Sequence, residues 1–504
     1  MNIVPDMMTF GRANHPERAA VIVDDKTLTF QAVDERADKL VAYFKQLGLK
    51  SEDRVALLAK NEAEYLEIQV AALRAKLVLV PLNFRLALPE LEYIIDDCKP
   101  RALICGPEFR EAAKTLPVEH GLILGEQYEA ALSEVGVVAT GIRPPLNADA
   151  LACILYTSGT TGRPKGAVIS NHALYARTNS MAFEYRATQD ERFLQCLPMF
   201  HIASNVSYAY TFVGATSIYL KDFHPQAVLE LVAKHRITLT LLVPTMINAL
   251  INYPEVKDVD INSLRTVAYG ASPIPPIVLK QAIDVLGCQF LQLFGMTETG
   301  PCTVLRPADH DPVNQPGRLA GAGTNSPDME VRVVDDKDVD VPCGEVGEVI
   351  CRGPGVMSYY WNAEAATADA LRHGWMHTGD VGYQDSDGYY YITDRKKDMI
   401  VSGGENVYPR EVEDVLYEHP DVLEAAVIGI PHERWGEQVH AVLVPAAGVS
   451  LDSEKVLGYA RSQLAGYKVP KSAEVMAELP KNATGKILKT ELRSAWWEGK
   501  TRRI

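Results

Sequence analysis

The chain has 504 residues, 47% of them hydrophobic and 23% charged, ordinary values for a globular protein with room for about two to four domains. The formal charge of −15 argues against a nucleic-acid partner, which calls for a basic footprint, but not against small anionic ligands, which answer to local fields. The most apolar window, Ile68–Leu82, holds Arg74 and Lys76 and is too short to span a bilayer; the start lacks the features of a signal peptide; and eight cysteines without a C-x-x-C pair point to reduced thiols in a cytoplasmic protein rather than to disulfides or zinc.

Helical and strand-like patterns alternate from the start. Gln31–Gln46 reads as a helix through Val33, Ala37, Leu40, Val41 and Phe44, with Gly48 as its stop. Arg54–Leu58 and Leu77–Leu82 read as strands around a helical Ala63–Ala75, and Leu88–Asp97 with Arg101–Cys105 repeats the pattern. Leu151–Leu155 is an apolar run that ends in Tyr156-Thr-Ser-Gly-Thr-Thr-Gly-Arg-Pro-Lys165-Gly166. Between Thr157 and Gly162 no side chain is larger than threonine. Glycines let the backbone approach an anion, hydroxyls add donors and Lys165 adds charge, so this loop suits phosphates. It is not a Walker A loop, because Lys165 follows a proline and precedes a glycine instead of opening a helix with Ser or Thr.

Further strands are expected at Ser217–Leu220, Leu239–Val243, Thr266–Tyr269 and Gln289–Gln292, an alternation that implies mixed α/β layers with largely parallel sheets. Near residue 315 the pattern shifts to short strands at Val331–Val334, Glu348–Cys351, Val381–Gln384 and Tyr389–Thr393, with a hairpin signal at Asp387-Gly388. Five consecutive charges, Asp394-Arg-Lys-Lys-Asp398, read as a hinge before a small C-terminal part with βαβ-like content. From Gly466 onward that part holds nine Lys/Arg against four Glu, which suits a local anionic ligand.

Three more pieces carry chemistry. In Leu291-Gln-Leu-Phe-Gly-Met-Thr-Glu298, Thr297 can donate to a phosphate, Glu298 can hold Mg²⁺, and Phe294 offers a flat face to a base. In His377-Thr-Gly-Asp380 a carboxylate can accept from ribose hydroxyls. Leu479-Pro-Lys-Asn-Ala-Thr-Gly-Lys486 sets a lysine near a loop tip.

Together with the glycine-threonine loop, these motifs resemble the adenylate-forming superfamily of acyl-CoA synthetases, nonribosomal peptide adenylation domains and beetle luciferases, in its order and over nearly the whole chain. The resemblance implies an α/β fold: a large N-terminal ATP- and acyl-binding domain (1–394) of mixed α/β layers with a small antiparallel β section, a hinge (395–397) pivoting at Lys397, and a small mobile α+β C-terminal domain (398–504). It implies Thr157, Ser158, Gly159, Thr160, Thr161, Gly162 and Lys165 over the β/γ-phosphates; Ala271-Ser272-Pro273 and Leu293-Phe294-Gly295, next to Met296, around adenine; Thr297 on the α-phosphate; Glu298 on Mg²⁺; Asp380 and Arg395 at the ribose; and Lys486 on the acyl carboxylate and the ribose or α-phosphate. Two departures stand out: Phe294 replaces the family's tyrosine, and Ala271-Ser272 replaces the commoner Gly-Ala or Gly-Glu.

The implied activity is AMP-forming ligation of a carboxylic acid to coenzyme A, with ATP, Mg²⁺ and CoA. Pivoting would bring Ser402-Gly403-Gly404-Glu405-Asn406 against the site, where the two glycines suit a narrow tunnel for a pantetheine arm that any Cβ would block, with Trp435 under the CoA adenine. His201 falls at the mouth of an acyl pocket completed by Ser204, Asn205, Tyr208, Val243, Met246, Gly270 and Gly295. The pocket contains no arginine for a second carboxylate, as malonate needs, and no tryptophan to restrict it to acetate, so a medium- or long-chain fatty acid or a cinnamate-like aryl acid is expected. Loading of a carrier protein is the alternative, disfavoured because no carrier domain follows Lys486; a luciferase-like oxygenase and a non-enzymatic nucleotide sensor rank lower. A homodimer is left open.

Overall fold

A computed structural model of the chain describes residues 3–135, 146–157, 163–201, 204–395, 398–482 and 485–498. The expected alternation resolves into two sheets with parallel centres. One has seven strands in the spatial order Tyr359–Tyr360, Lys165–Ser170, Leu151–Thr157, Val78–Pro81, Arg54–Leu58, Ala102–Cys105, His120–Ile123. Its last five strands are parallel and its first two junctions antiparallel. The other has nine, in the order Thr324–Asn325, Gly300–Leu305, Gln289–Met296, Thr266–Gly270, Leu239–Leu242, Arg192–Gln195, Thr216–Tyr219, Ala19–Val23, Lys26–Thr29. It is parallel except at its two ends. Val78–Pro81 and Leu239–Leu242 are buried throughout, as strands covered on both faces must be, and this is why they read as unbroken apolar runs.

Helix starts follow local chemistry. The Phe30–Gln46 helix begins where the Thr29 hydroxyl accepts from Ala32 N at 3.1 Å, and the Asn171–Glu184 helix where Ser170 accepts from Ala173 N at 3.2 Å, an N-cap each time. One apolar cluster, including Val55, Leu155, Cys302 and Cys351, joins both large sheets to a four-stranded antiparallel sheet. That sheet contains Glu330–Val334, Gly347–Arg352, Met376–Gln384 and Tyr390–Arg395, and Asp387-Gly388 lies in its last turn, with Gly388 at φ +86°.

The small C-terminal sheet runs Glu405–Val407, Ile400–Ser402, Gly436–Pro445, Val422–His432, with Ser472–Val475 beside Gly436–Pro445. The βαβ reading holds only in part. Val422–His432 and Gly436–Pro445 pair antiparallel across Glu433–Trp435, a connection far shorter than a parallel crossover needs. The parallel unit comes one strand later, where the Ser453–Gln463 helix leads to Ser472–Val475. All eight cysteines are free, and Cys343 is exposed. No described helix is long and apolar enough to cross a membrane.

Candidate active site

Thr157 and Lys165 are register partners at the end of an antiparallel strand pair; Ser158, Gly159, Thr160, Thr161 and Gly162 lie outside the described residues. The loop's base is well anchored. The Tyr156 hydroxyl donates to Asp97, and the Arg163 guanidinium lies 5.5 Å from the Tyr93 ring centroid. Both partners belong to the Leu88–Cys98 helix.

Glu298 faces this base. The strand expected to end at Gln292 continues through Leu293, Phe294, Gly295 and Met296 and bulges at Phe294/Gly295. The chain then turns through Thr297–Thr299 and returns as Gly300–Leu305. Met296 N donates to the Thr299 hydroxyl at 3.1 Å and Thr299 N to the Met296 carbonyl at 3.1 Å, which holds the turn. A Cβ at Gly295 would collide with the Gly300 carbonyl, so glycine is what lets the hairpin close. Thr297 is buried and Glu298 only 4% exposed. The Glu298 carboxylate accepts from the Tyr360 hydroxyl at 2.7 Å and the Thr157 hydroxyl at 3.3 Å.

Tyr360 is absent from the sequence-derived set. It sits on the edge strand paired with Lys165–Ser170, and Lys165 Nζ lies 5.4 Å from its ring centroid. The Tyr359-Tyr360-Trp361 run is a visible aromatic signal, but nothing in it shows which ring meets a glutamate 62 positions away.

Asp380 pairs in register with Arg395, whose Nε lies 3.2 Å from Asp380 Oδ1. Burial pushes the Asp380 carboxyl above the usual carboxylate range, opposed by the Arg395 and Lys486 cations. Lys486 is therefore close enough to Asp380 for its charge to be felt there. Its loop is closed by Asn482 N donating to the Lys486 carbonyl at 2.8 Å and Lys486 N to Asn482 Oδ1 at 2.9 Å. The same loop docks on the large part of the chain, where the Thr245 hydroxyl donates to the Gly485 carbonyl at 3.3 Å. A Cβ at Gly485 would come 3.0 Å from Val243 Cγ2.

Gly270 ends a strand opposite Leu293, and a Cβ there would come 2.5 Å from the Leu293 carbonyl oxygen. The next residue, Ala271, has φ +69°, a left-handed conformation more natural to glycine. It opens the Ala271-Ser272-Pro273 segment, and Phe294 on the neighbouring strand is half-buried. Among the pocket residues, burial pushes His201 down to about 4, which leaves its imidazole neutral at pH 7. Ser204, Asn205 and Tyr208 lie buried on the Ser204–Phe212 helix, and Val243 and Met246 are buried at the start of the Pro244–Ile251 helix.

Gly403, Gly404 and Trp435 form a separate group. The two glycines make the turn between Ile400–Ser402 and Glu405–Val407, at φ +62° and +90°. A Cβ at Gly404 meets nothing within 4 Å, and one at Gly403 only the Trp435 ring, from 3.5 Å. A two-residue turn with both φ positive is what calls for glycine here. Trp435 stacks on His432, centroids 4.2 Å apart, and accepts from Gly403 N at 2.9 Å. Lys397 lies outside the described residues.

No cluster of three or more His, Cys, Asp or Glu suited to a metal occurs among the described residues. A single buried carboxylate beside two hydroxyls fits Mg²⁺, which keeps phosphate oxygens and waters in its shell.

The AMP-binding enzyme family matches residues 11–361, and the AMP-binding enzyme C-terminal domain matches residues 411–486. The chain belongs to the AMP-binding enzyme family. The second match ends at Lys486, on the loop that reaches the cleft. Among similar AMP-binding enzymes, the feruloyl-CoA synthase of an Amycolatopsis species is 40% identical over 481 residues, covering 95% of this chain and 96% of its own. ScoC of Streptomyces coeruleorubidus, a fatty acid–[acyl-carrier-protein] ligase, is 36% identical over 506 residues, 98% of this chain and 97% of its own. The structure of ATP-bound MatB from Rhodopseudomonas palustris superposes with a TM-score of 0.89 at 31% identity, covering 97% of this chain and 98% of that one. Apo MatB superposes with 0.78, covering 98% and 99%.

Proposed function

We propose that Thr157, Lys165, Thr297, Glu298, Asp380, Arg395 and Lys486 carry out acyl-adenylation in one cleft, on a large apolar acid. The protein is an AMP-forming carboxylate–CoA ligase that uses ATP, Mg²⁺ and CoA. A carboxylate and a triphosphate repel, so the reaction needs positioning and charge neutralisation more than a covalent side chain. One carboxylate oxygen attacks the α-phosphorus in line, the bond to the β-phosphate breaks, and pyrophosphate leaves. The CoA sulfur then attacks the acyl carbon, the bond to AMP breaks, and the thiol proton passes to solvent.

Asp380, steadied by Arg395, accepts from the ribose hydroxyls; Thr297 donates to the α-phosphate; Lys165 and the glycine-threonine segment before it neutralise the β/γ-phosphates. Mg²⁺ held at Glu298 would offset phosphate charge. Lys486 joins the acid to the α-phosphate. The observation that carries this reading is that the Lys486 cation bears on Asp380 from a loop seated on Val243 and Thr245. Residues 1–394, 395–397 and 398–504 act as large domain, hinge and small domain, a division supported by one sheet ending at Arg395 and the next starting at Ile400. Gly403, Gly404 and Trp435 serve CoA.

The acid is aryl (cinnamate-like) or a medium- to long-chain fatty acid, in a pocket of His201, Ser204, Asn205, Tyr208, Val243, Met246, Gly270 and Gly295. Asn205 Nδ2 is buried with no acceptor among the described residues, which favours an aryl acid with a ring oxygen, as does the feruloyl-CoA synthase relative. ScoC supports a carrier protein as a second acceptor. Free thiols throughout suit the cytoplasm. Acid-dependent exchange of labelled pyrophosphate into ATP, across fatty chain lengths and aryl acids, tests the reading; no exchange with any acid refutes it. Offering CoA and a holo-carrier in parallel separates the acceptors, and light scattering shows whether the 55.5 kDa chain pairs.

A further inference from the structure

Arg177 is the largest fully buried side chain among the described residues, 1% exposed. It lies on the Asn171–Glu184 helix, behind Glu298. Its Nε donates to the Gly355 carbonyl at 2.6 Å, while neither terminal nitrogen has a hydrogen-bond acceptor among the described residues. Burial pushes the guanidinium down to about 10, so it is still charged at pH 7. The groups whose charge it feels are Cys153, Glu298 and Cys302. Cys153 is pushed up to about 12 by burial and stays a neutral thiol.

A buried cation without a bonded anion is costly, and an apolar side chain of similar volume would pack there without that cost. Stability alone therefore does not account for arginine. Its contacts do. On one side the arginine stem lies against Gly300, where a Cβ would come 2.9 Å from Arg177 Cγ; on the other it lies against Gly355, where a Cβ would come 3.3 Å from the same atom. Gly300 closes the turn that carries Glu298. The Gly355 segment continues to Met357, whose N–H donates to the Glu298 carbonyl at 2.6 Å, and to Tyr360, whose hydroxyl holds the Glu298 carboxylate.

We propose that Arg177 is a positioning residue for Glu298, a buried wedge that ties the glutamate's turn to the segment carrying Tyr360 and so fixes the carboxylate for a divalent cation. The inference rests on the ligase reading. It treats Arg177 and Tyr360 as one device, so their losses overlap.

The test is a double-variant cycle with R177M, Y360F and the pair, read by electron paramagnetic resonance titration of Mn²⁺ against full-length enzyme with a non-hydrolysable ATP analogue, and by the free Mg²⁺ at half-maximal pyrophosphate exchange. Each single variant should weaken the cation by about tenfold, as removal of a group that orients a metal ligand does, and the pair by no more than the worse single. Unchanged cation affinity in R177M, or a pair that loses the product of the two single effects, overturns the proposal. If R177M does not fold, R177K replaces it in the same cycle, with the same expectation of overlapping losses. Wild-type enzyme without exchange would sink the ligase reading, whereas wild-type exchange with additive variants would sink only this inference.

Discussion

The two sides of the cleft are built differently. Glu298 and Asp380 stand on or beside paired strands, both nearly enclosed, with Tyr360, Thr157 and Arg395 holding their carboxylates. Lys486 hangs from a loop of the small C-terminal part, where the Thr245 hydroxyl of the large part donates to the Gly485 carbonyl at 3.3 Å. Groups that must stay put belong on rigid, doubly bonded backbone, and a group that acts in one half-reaction only can sit on an element held lightly. The TM-scores against MatB, 0.89 for the ATP-bound form and 0.78 for the apo form, show that this chain's arrangement is nearer to the nucleotide-bound one.

The sharpest way to break this contrast is Lys486→Ala. Pyrophosphate exchange should fall by about 10²–10³, the usual cost of one preorganised charge, while CoA ester formation from supplied acyl-adenylate is largely spared. Equal loss in both assays would mean that the lysine is not confined to the first half-reaction. On the rigid side, Asp380→Asn should raise the KM for ATP by about tenfold or more, the worth of a hydrogen bond to a charged group, and steady-state kinetics would show both half-reactions suffering.

Burial of the rigid wall also predicts acid sensitivity. His310 sits against the Thr266–Gly270 strand, bonded to the Tyr269 hydroxyl at 3.0 Å, and burial pushes it down to about 4. Its ordinary value is near 6.5, so its contribution to stability is complete above that pH and is lost as pH falls toward 4. His310→Asn should remove about one proton from the folding linkage, flattening the decline by up to about 1.4 kcal/mol per pH unit in that window, as measured by denaturant melts at stepped pH.

Two smaller effects sharpen the comparison. Thr245→Val deletes the loop's bond and should slow adenylation by about threefold, the worth of one modest hydrogen bond, without touching the thiol step in a stopped-flow assay. Ala271→Gly relieves a left-handed alanine, partly offset by the freer unfolded chain. The result should be a gain of no more than about 1 kcal/mol in urea denaturation.

Some of the site was legible because it is local. A glycine-threonine loop after an apolar run, a Thr-Glu pair after a strand and a Thr-Gly-Asp before a hairpin each bring their chemistry within a few residues. Tyr360 and Arg177 were not legible. Each acts on Glu298 across more than one strand or helix, and a tyrosine or an arginine in a plausible helix or edge strand looks like any other. The glycine pair Gly403-Gly404 was legible as a turn, and its positive φ angles of +62° and +90° agree with that reading.

The order of apolar and polar residues alone determined that the chain makes alternating layers, where helices such as Phe30–Gln46 and Glu64–Ala75 lie, and which short segments carry glycines, hydroxyls and a lysine suited to phosphates. These follow from backbone propensity and side-chain periodicity, which act over a few residues. Tertiary structure decided which carboxylate meets which hydroxyl, how a lysine near the end of the chain reaches a cleft formed much earlier, and why an arginine is buried behind a glutamate. Those relations depend on sheet register and the packing of layers, and register is set by contacts between segments that no stretch of sequence contains.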